Sequence, residues 1–422
     1  MFWEKIKLIF KDPDLRKKIL FVLMILAIFR IGAVIPIPGV DPVKLASFLE
    51  GNQFFGLLNI FSGGALANLS VVMLGVGPYI TASIIMQLLT MIFPRLKEIY
   101  QEEGEAGKKK FNQISRYLTV PLAFMQGFAL LSLLERQGVL SGLTSFDRIV
   151  NVIIVTAGAV FLLWLGELIS EHGIGNGISL MIFAGIVAGI PGSVQQALIN
   201  FDSTKVPLYL GFLVVAFLII AGVVVITEGQ RPIPISYAKR VRGMRMYGGT
   251  STYLPLRVNQ AGVIPIIFAL SILLFPQILT SVLSGIENPV FQSILNGINN
   301  LFNNPWFYAS LYFLLVFLFT YFYTAVTFDP EAISKNLQKS GAFIPGIRPG
   351  RSTAMYISKI LTRITLVGAI FLGLIAVLPL GMRAVTGMVS LTIGGTALLI
   401  VVSVVLETIK QVKSQIVMRE YE

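Results

Sequence analysis

The sequence predicts an all-α integral membrane protein of ten spanning helices. Three observations carry that reading. Only 13% of the 422 residues are charged and 55% are hydrophobic, with mean hydropathy +0.80, where a soluble chain carries about a quarter charged. The apolar residues gather in runs close to the roughly 20 residues that cross about 30 Å of hydrocarbon. Lysine and arginine are abundant in every second loop and sparse in the others. Lipid leaves unpaired backbone groups without partners, and the runs are too long for barrel strands, so helices are the structure expected.

The first run, 19–37, follows Arg16, Lys17 and Lys18 and ends in Pro36, Pro38 and Gly39. It offers no small-residue cleavage site, so it reads as a retained span and not as a signal peptide. The second, 71–92, is preceded by an apolar, glycine-interrupted segment at 54–70 that is too short to cross. The third and fourth, 117–134 and 149–168, are uninterrupted. The fifth, 177–190, is short, opening at Gly173-Ile174-Gly175-Asn176-Gly177 and stopping at Pro191. Five more follow at 207–227, 259–280, 306–327, 356–379 and 385–406. Irregular backbone at membrane depth is tolerated where it lines a cavity or is buried in protein. Ten spans divide into two fives, residues 19–192 and 193–406, and an odd number per half would invert one half against the other. Tails at 1–18 and 407–422 flank them.

Positive charge orients the chain. The N-terminal tail, the loop from Arg95 to Arg116 and the loop from Arg231 to Arg257 carry six Lys/Arg each. The eighth loop has four and the C-terminal tail three, against five (Lys44, Arg136, Arg148, Lys205 and Arg383) on the other side. Both termini are therefore expected in the cytoplasm.

Much chemistry is excluded. There is no cysteine and one histidine, His172, which rules out disulfides, thiolate metal sites and a histidine-rich metal centre. No phosphate-binding GxxxxGK[ST], HExxH or GxSxG occurs. No cofactor and no enzymatic activity are expected, and any energy must come from a partner or the membrane potential. Among the ionisable groups only Arg30 sits well inside a span; Glu167, Glu407, Lys359 and Arg363 lie towards span ends. An ion-coupled small-solute carrier, the main alternative, normally needs a mid-membrane carboxylate.

Several segments resemble SecY, the large-subunit family of the bacterial Sec translocation channel. They are Phe29-Arg30-Ile31-Gly32 with Pro36-Ile37-Pro38-Gly39, Phe61-Ser62-Gly63-Gly64-Ala65-Leu66, Gly77-Pro78-Tyr79-Ile80, Gln87-Leu88-Leu89, His172 through Ser179, Tyr237-Ala238-Lys239-Arg240, Asn259 through Pro265 and Ser340 through Gly350. They stand in family order along nearly the whole chain. The resemblance implies two five-helix halves around an hourglass pore in the bacterial cytoplasmic membrane, conducting unfolded secretory proteins and releasing membrane segments sideways into lipid.

It also implies roles for particular residues. An apolar ring sealing the idle pore would be Val76 and Ile80, Ile178 and Ile182, Ile267 and Ile400; such a constriction excludes ions by dewetting. The 76/80 and 178/182 pairs each share a helix face, although that spacing also suits any bundle core. A short plug helix is expected over Phe61, Ser62, Gly63, Gly64, Ala65, Leu66, Ala67, Asn68 and Leu69, with a re-entrant packing loop as the alternative. Gln87 and Asn259 match positions on the lateral gate, where amides bridging a seam would hold it shut at roughly 1 kcal/mol. The basic loops at about 228–258 and 328–355 would dock partners through Lys239, Arg240, Arg242, Arg245, Arg348 and Arg351. The partners implied are the SecE and SecG subunits, the SecA ATPase, the ribosome through its RNA, signal peptides, nascent chains and membrane lipids.

Overall fold

The computed structural model describes residues 12–39, 44–45, 59, 62, 64–101, 103–136, 138–140, 144–199, 206–237, 240–242, 245–247, 251–283, 289–386 and 395–420. Helix α1, Pro13–Val34, opens with the Asp12 carboxylate accepting from the Asp14 amide at 3.0 Å and proline in its first turn. Asx-Pro starts recur at α10, Pro305–Thr327, capped by Asn304, and at α11, Pro330–Lys339, capped by Asp329. The Asx oxygen satisfies orphan amides while proline needs none. Between α1 and α10 come α2 Gly77–Ile92, α3 Pro94–Gln101, α4 Gly104–Arg136, α5 Ser145–His172, α6 Gly177–Ile199, α7 Val206–Glu228, α8 Ile264–Leu283 and α9 Pro289–Asn303. Helices α12 Arg351–Thr386 and α13 Gly395–Glu420 complete the set.

Each of the ten predicted runs overlaps a helix among the described residues, with 387–394 of the last run outside them. Length and apolar composition alone carry fewer spans: five helices among the described residues suffice, and six if α2 and α3, bent by 117°, form one broken span. Gly177–Gly192 and Ile264–Leu273 are apolar but shorter. The surface of α7 is what lipid requires, with Phe217 71% and Val225 68% exposed; a water-facing helix does not display such a patch.

Three predictions need correction. The second span is helical only from Gly77, because residues 71–76 are turns. The expected plug helix is also a series of turns over 64–69, with positive φ at Gly64 (79°) and at Leu69 (39°); Phe61 and Gly63 lie outside the described residues. A positive φ breaks a right-handed helix. Pro191 does not stop the fifth span, since α6 continues through it to Ile199. Gly189, Pro191 and Gly192 are all exposed there, so the carbonyl freed by proline is not trapped in the core.

The all-α prediction also misses a small sheet. Strands β1 Gln230–Tyr237, β4 Ser251–Arg257 and β5 Ala342–Phe343 form it in the order β4-β1-β5, and β2 Arg240–Arg242 pairs with β3 Arg245–Tyr247. Antiparallel register runs from Gln230↔Arg257 to Ser236↔Ser251, and β5 joins through Ser236↔Phe343 and Tyr237↔Ala342. The two long basic loops are thus one unit. Ile233, Leu256, Ile344, Ile357 and Ile360 form its apolar core over α12.

Candidate pore, seam and docking face

One apolar cluster draws on five separate parts of the chain. Val22, Ile25, Phe29 and Ala33 come from α1, Leu162, Leu165 and Ile169 from α5, Leu180, Met181, Ile182 and Ile186 from α6, and Ala397, Ile400 and Val404 from α13. Ala65, Val72 and Val76 complete the buried set from the turns before α2. The contributions of α1, α5 and α13 follow spacings of three and four, the period that aligns side chains on one face, whereas α6 buries three consecutive residues and Ile186. Of the six predicted ring residues, Val76, Ile182 and Ile400 are buried in this cluster, and Ile80 and Ile178 pack against it half-buried. Ile267 is half-buried and lies outside it, while Val263 from the same segment reaches in. Ala65 was expected in the plug helix and lies in this cluster; Val72, Ile186, Ala397 and Val404 were not anticipated. Ile186 continues the 178/182 series by four, a signal present in the sequence.

The turn segment before α2 lies on this cluster and is tied to the end of α1. The Ile37 amide donates to the Leu69 carbonyl at 2.9 Å, the Val71 amide to Ile35 at 3.0 Å, and the Asn68 side-chain amide to Ala33 at 3.2 Å. Within the segment, the Ser62 hydroxyl accepts from the Leu66 amide at 3.2 Å and the Asn59 side chain from the Ala67 amide at 2.7 Å. On its other side Leu66, Leu69 and Met73 are buried with Ile37, Leu131, Leu134 and Val155. Helix α5 approaches so closely that a Cβ on Gly158 would stand 2.1 Å from the Val71 carbonyl oxygen.

Helix α8 packs against both α2 and α4, the neighbourhood of Gln87 and Asn259. Gln87 donates to the Ser83 hydroxyl one turn back on α2, at 3.5 Å, and Asn259 donates to the Gly262 carbonyl at 3.2 Å. Each amide is therefore partnered on its own side. Their carbonyl oxygens, Oε1 of Gln87 and Oδ1 of Asn259, are buried without a hydrogen-bond donor among the described residues.

On the sheet side, Arg348 is exposed on a run of turns held from beneath. The Arg348 carbonyl accepts from the Thr353 hydroxyl at 2.9 Å, and the Gly350 carbonyl from the Ser334 hydroxyl at 2.6 Å. Gly346 and Gly350 have φ of 80° and 98°, a conformation that costs other residues about 1–2 kcal/mol. Arg351 is the first residue of α12 and is exposed. A cation at a helix N-terminus opposes the helix dipole, and neither arginine has a carboxylate partner among the described residues. Both are thus left free to meet an anion. Arg242 pairs across the β2–β3 hairpin with Arg245, and Arg240 with Tyr247; Lys239 lies outside the described residues.

A sequence model of SecY matches residues 70–409. The chain belongs to the SecY family. Among its SecY relatives, the protein translocase subunit SecY of Mycobacterium tuberculosis is 46% identical over 432 residues, covering 98% of this chain and 97% of that one. The protein of the same name from Corynebacterium glutamicum is 45% identical, with 98% of each covered. The fold is likewise similar to a solved protein-conducting channel, with TM-score 0.63 over 93% of this chain and 91% of that one at 18% identity. It is similar to Sec61 in the canine ribosome-channel complex from the endoplasmic reticulum with TM-score 0.60, 18% identity and the same coverage. At that identity the structural likeness speaks for the SecY fold alone.

Proposed function

We propose that this chain is the central protein-conducting channel subunit of a Sec translocase. In this reading its ten helices span the bacterial cytoplasmic membrane in two inverted halves around an hourglass pore, with both termini in the cytoplasm. The observation that carries the reading is the apolar cluster in which Val76, Ile80, Ile178, Ile182 and Ile400 meet with Ala65. Four helices and a turn segment converge there on aliphatic side chains, the material of a seal that excludes ions when no chain is passing. The turn segment acts as the plug, and helices α2 and α4 against α8 act as the lateral gate.

An apolar signal helix entering that seam would replace protein contacts with its own and shift a closed–open equilibrium. Partitioning then favours leucine at about −0.5 kcal/mol and disfavours a central charge at about +3 kcal/mol. The free arginines at 348 and 351 and the β2–β3 hairpin supply the docking face for an acidic motor surface or ribosomal RNA, whose phosphates attract such a patch. SecE, SecG and SecA are the partners this assignment implies, and the motor or the ribosome supplies the energy. Protease protection of a secretory precursor in proteoliposomes holding this chain, SecE, SecG, SecA and ATP tests the assignment. ATP-dependent protection that disappears with detergent is expected. Its absence, with the complex assembled and a working translocon beside it, would overturn the assignment.

A further inference from the structure

Helix α9, Pro289–Asn303, contains no charged residue. It connects α8 to α10, and a single residue, Asn304, separates its end from the start of α10. Asn304 is extended, with φ −75° and ψ 115°, the conformation favoured before proline, so the two helices do not run on as one. Phe302 and Phe307 meet edge to face across this corner with ring centroids 5.9 Å apart, and α9 also packs against α8. At about 100° per residue, α9 presents three faces. Leu295, Ile298 and Phe302 share the first: Leu295 is buried, Ile298 is half-buried, and Phe302 packs on the core that holds Tyr308 and Tyr312. Gln292, Ser293, Asn296 and Asn300 lie on the far side, all exposed. Between them runs a stripe of Val290, Ile294, Gly297 and Leu301, spaced by four, three and four, with Ile294 56% and Leu301 52% exposed.

An exposed apolar stripe beside an exposed amide face suits a helix that lies where lipid meets water. The corner with α10 carries a second sign of that boundary. Trp306 is 79% exposed there, and tryptophan gathers at the membrane–water interface, while Leu314 and Leu318 follow as exposed residues further along α10. We propose that α9 is an interfacial helix, with its Val290–Ile294–Leu301 stripe in the outer-leaflet boundary of the bilayer, its amide face in water and its third face on the bundle. This rests on the reading that α8 and α10 span the membrane with their linked ends outside the cell. Free interfacial helices add lysine and arginine to hold anionic lipid; α9 has none, because the two spans already keep it at the surface. Since α9 packs on both α8 and α10, its seat in the lipid would hold the outer ends of these two helices at a set depth.

Single cysteines, introduced into a chain that has none, can carry nitroxide labels in the complex with SecE and SecG reconstituted in vesicles. Collision with oxygen, which concentrates in lipid, and with a nickel chelate, which stays in water, reads the surroundings of each label. Ile294→Cys and Leu301→Cys should report lipid, about 5–10 Å into the headgroup–acyl boundary, whereas Asn296→Cys and Asn300→Cys should report water. Leu318→Cys on α10 marks the lipid reference. With no charge on α9, the depths should agree between vesicles of phosphatidylcholine alone and of equal phosphatidylcholine and phosphatidylglycerol. If Ile294→Cys does not assemble, Val290→Cys takes its place. Water at 294 and 301 with lipid at 318 overturns the proposal and leaves the spanning reading intact. Exclusion of both reagents at 294 and 301 would show a protein cover and would also overturn it, as would lipid contact that requires phosphatidylglycerol. Water at 318 as well would overturn the spanning reading and the proposal with it.

Discussion

The side-chain amide of Asn68 donates to the backbone carbonyl of Ala33 at 3.2 Å, joining the turn segment to the last turn of α1 across 35 residues of chain. With the backbone bonds Ile37 to Leu69 and Val71 to Ile35, it forms the clasp that ties the segment carrying Ala65, a buried member of the apolar cluster, to α1.

Asn68→Ala removes one of these three bonds. A net hydrogen bond contributes about 1 kcal/mol, so the displaced state should become roughly fivefold more populated. Idle conductance in planar bilayers should rise by that order, with thermal stability little changed. Unchanged conductance would mean that Asn68 does not help hold the segment in place.

Gly158 is required by closeness rather than by flexibility. A methyl group there would meet the Val71 carbonyl at 2.1 Å, against rigid backbone. Gly158→Ala should therefore destabilise by about 1–3 kcal/mol through forced displacement of the segment. Gly211→Ala, with open space around its new carbon, should be neutral or stabilising by up to about 1 kcal/mol from helix propensity. Thermal unfolding in detergent reads both, and equal melting temperatures would contradict the packing argument.

The seam is the subject of a double-mutant cycle. Gln87 and Asn259 hydrogen-bond locally, to Ser83 and Gly262, so Gln87→Ala and Asn259→Ala should be additive within about 0.5 kcal/mol. A coupling of 1 kcal/mol or more in unfolding would show that the amides bridge the seam directly.

Arg348→Glu should abolish most motor-driven export while the protein folds and assembles normally, because the side chain is exposed and only its backbone carbonyl is used structurally. Export at the wild-type rate by this variant would remove Arg348 from the docking face.

The sequence exposed the helices, and five of the aliphatic side chains that meet at the apolar cluster, for different physical reasons. Runs of apolar residues mark where lipid is the solvent, so each of the ten predicted segments overlaps a helix among the described residues. The pairs Val76/Ile80 and Ile178/Ile182 are visible because four residues bring side chains back to one face. The burial of Ala65 and Val72 in this cluster was hidden, since it depends on a turn path set by positive φ at Gly64, Leu69 and Gly75, which no periodicity reports. Strands β1 and β4 did leave a trace in Ile233/Ile235 and Leu254/Leu256, whose spacing of two is the strand period. In so apolar a chain that trace was overshadowed by the basic residues around it. The β5 pairing of Tyr237 with Ala342 is a long-range contact that local pattern cannot encode.

The central claim is that a polypeptide passes through the Ile182–Ile400 cluster. Because the chain has no cysteine, single cysteines can be introduced without background. The decisive measurement is disulfide crosslinking between a cysteine in a stalled precursor and Val76→Cys, Ile182→Cys or Ile400→Cys in the reconstituted complex, with lipid-facing Phe217→Cys for comparison. ATP-dependent adducts at the three cluster positions and none at 217 are predicted. Adducts only at 217, or none at the cluster while the precursor is protected from protease, would contradict a pore at this place.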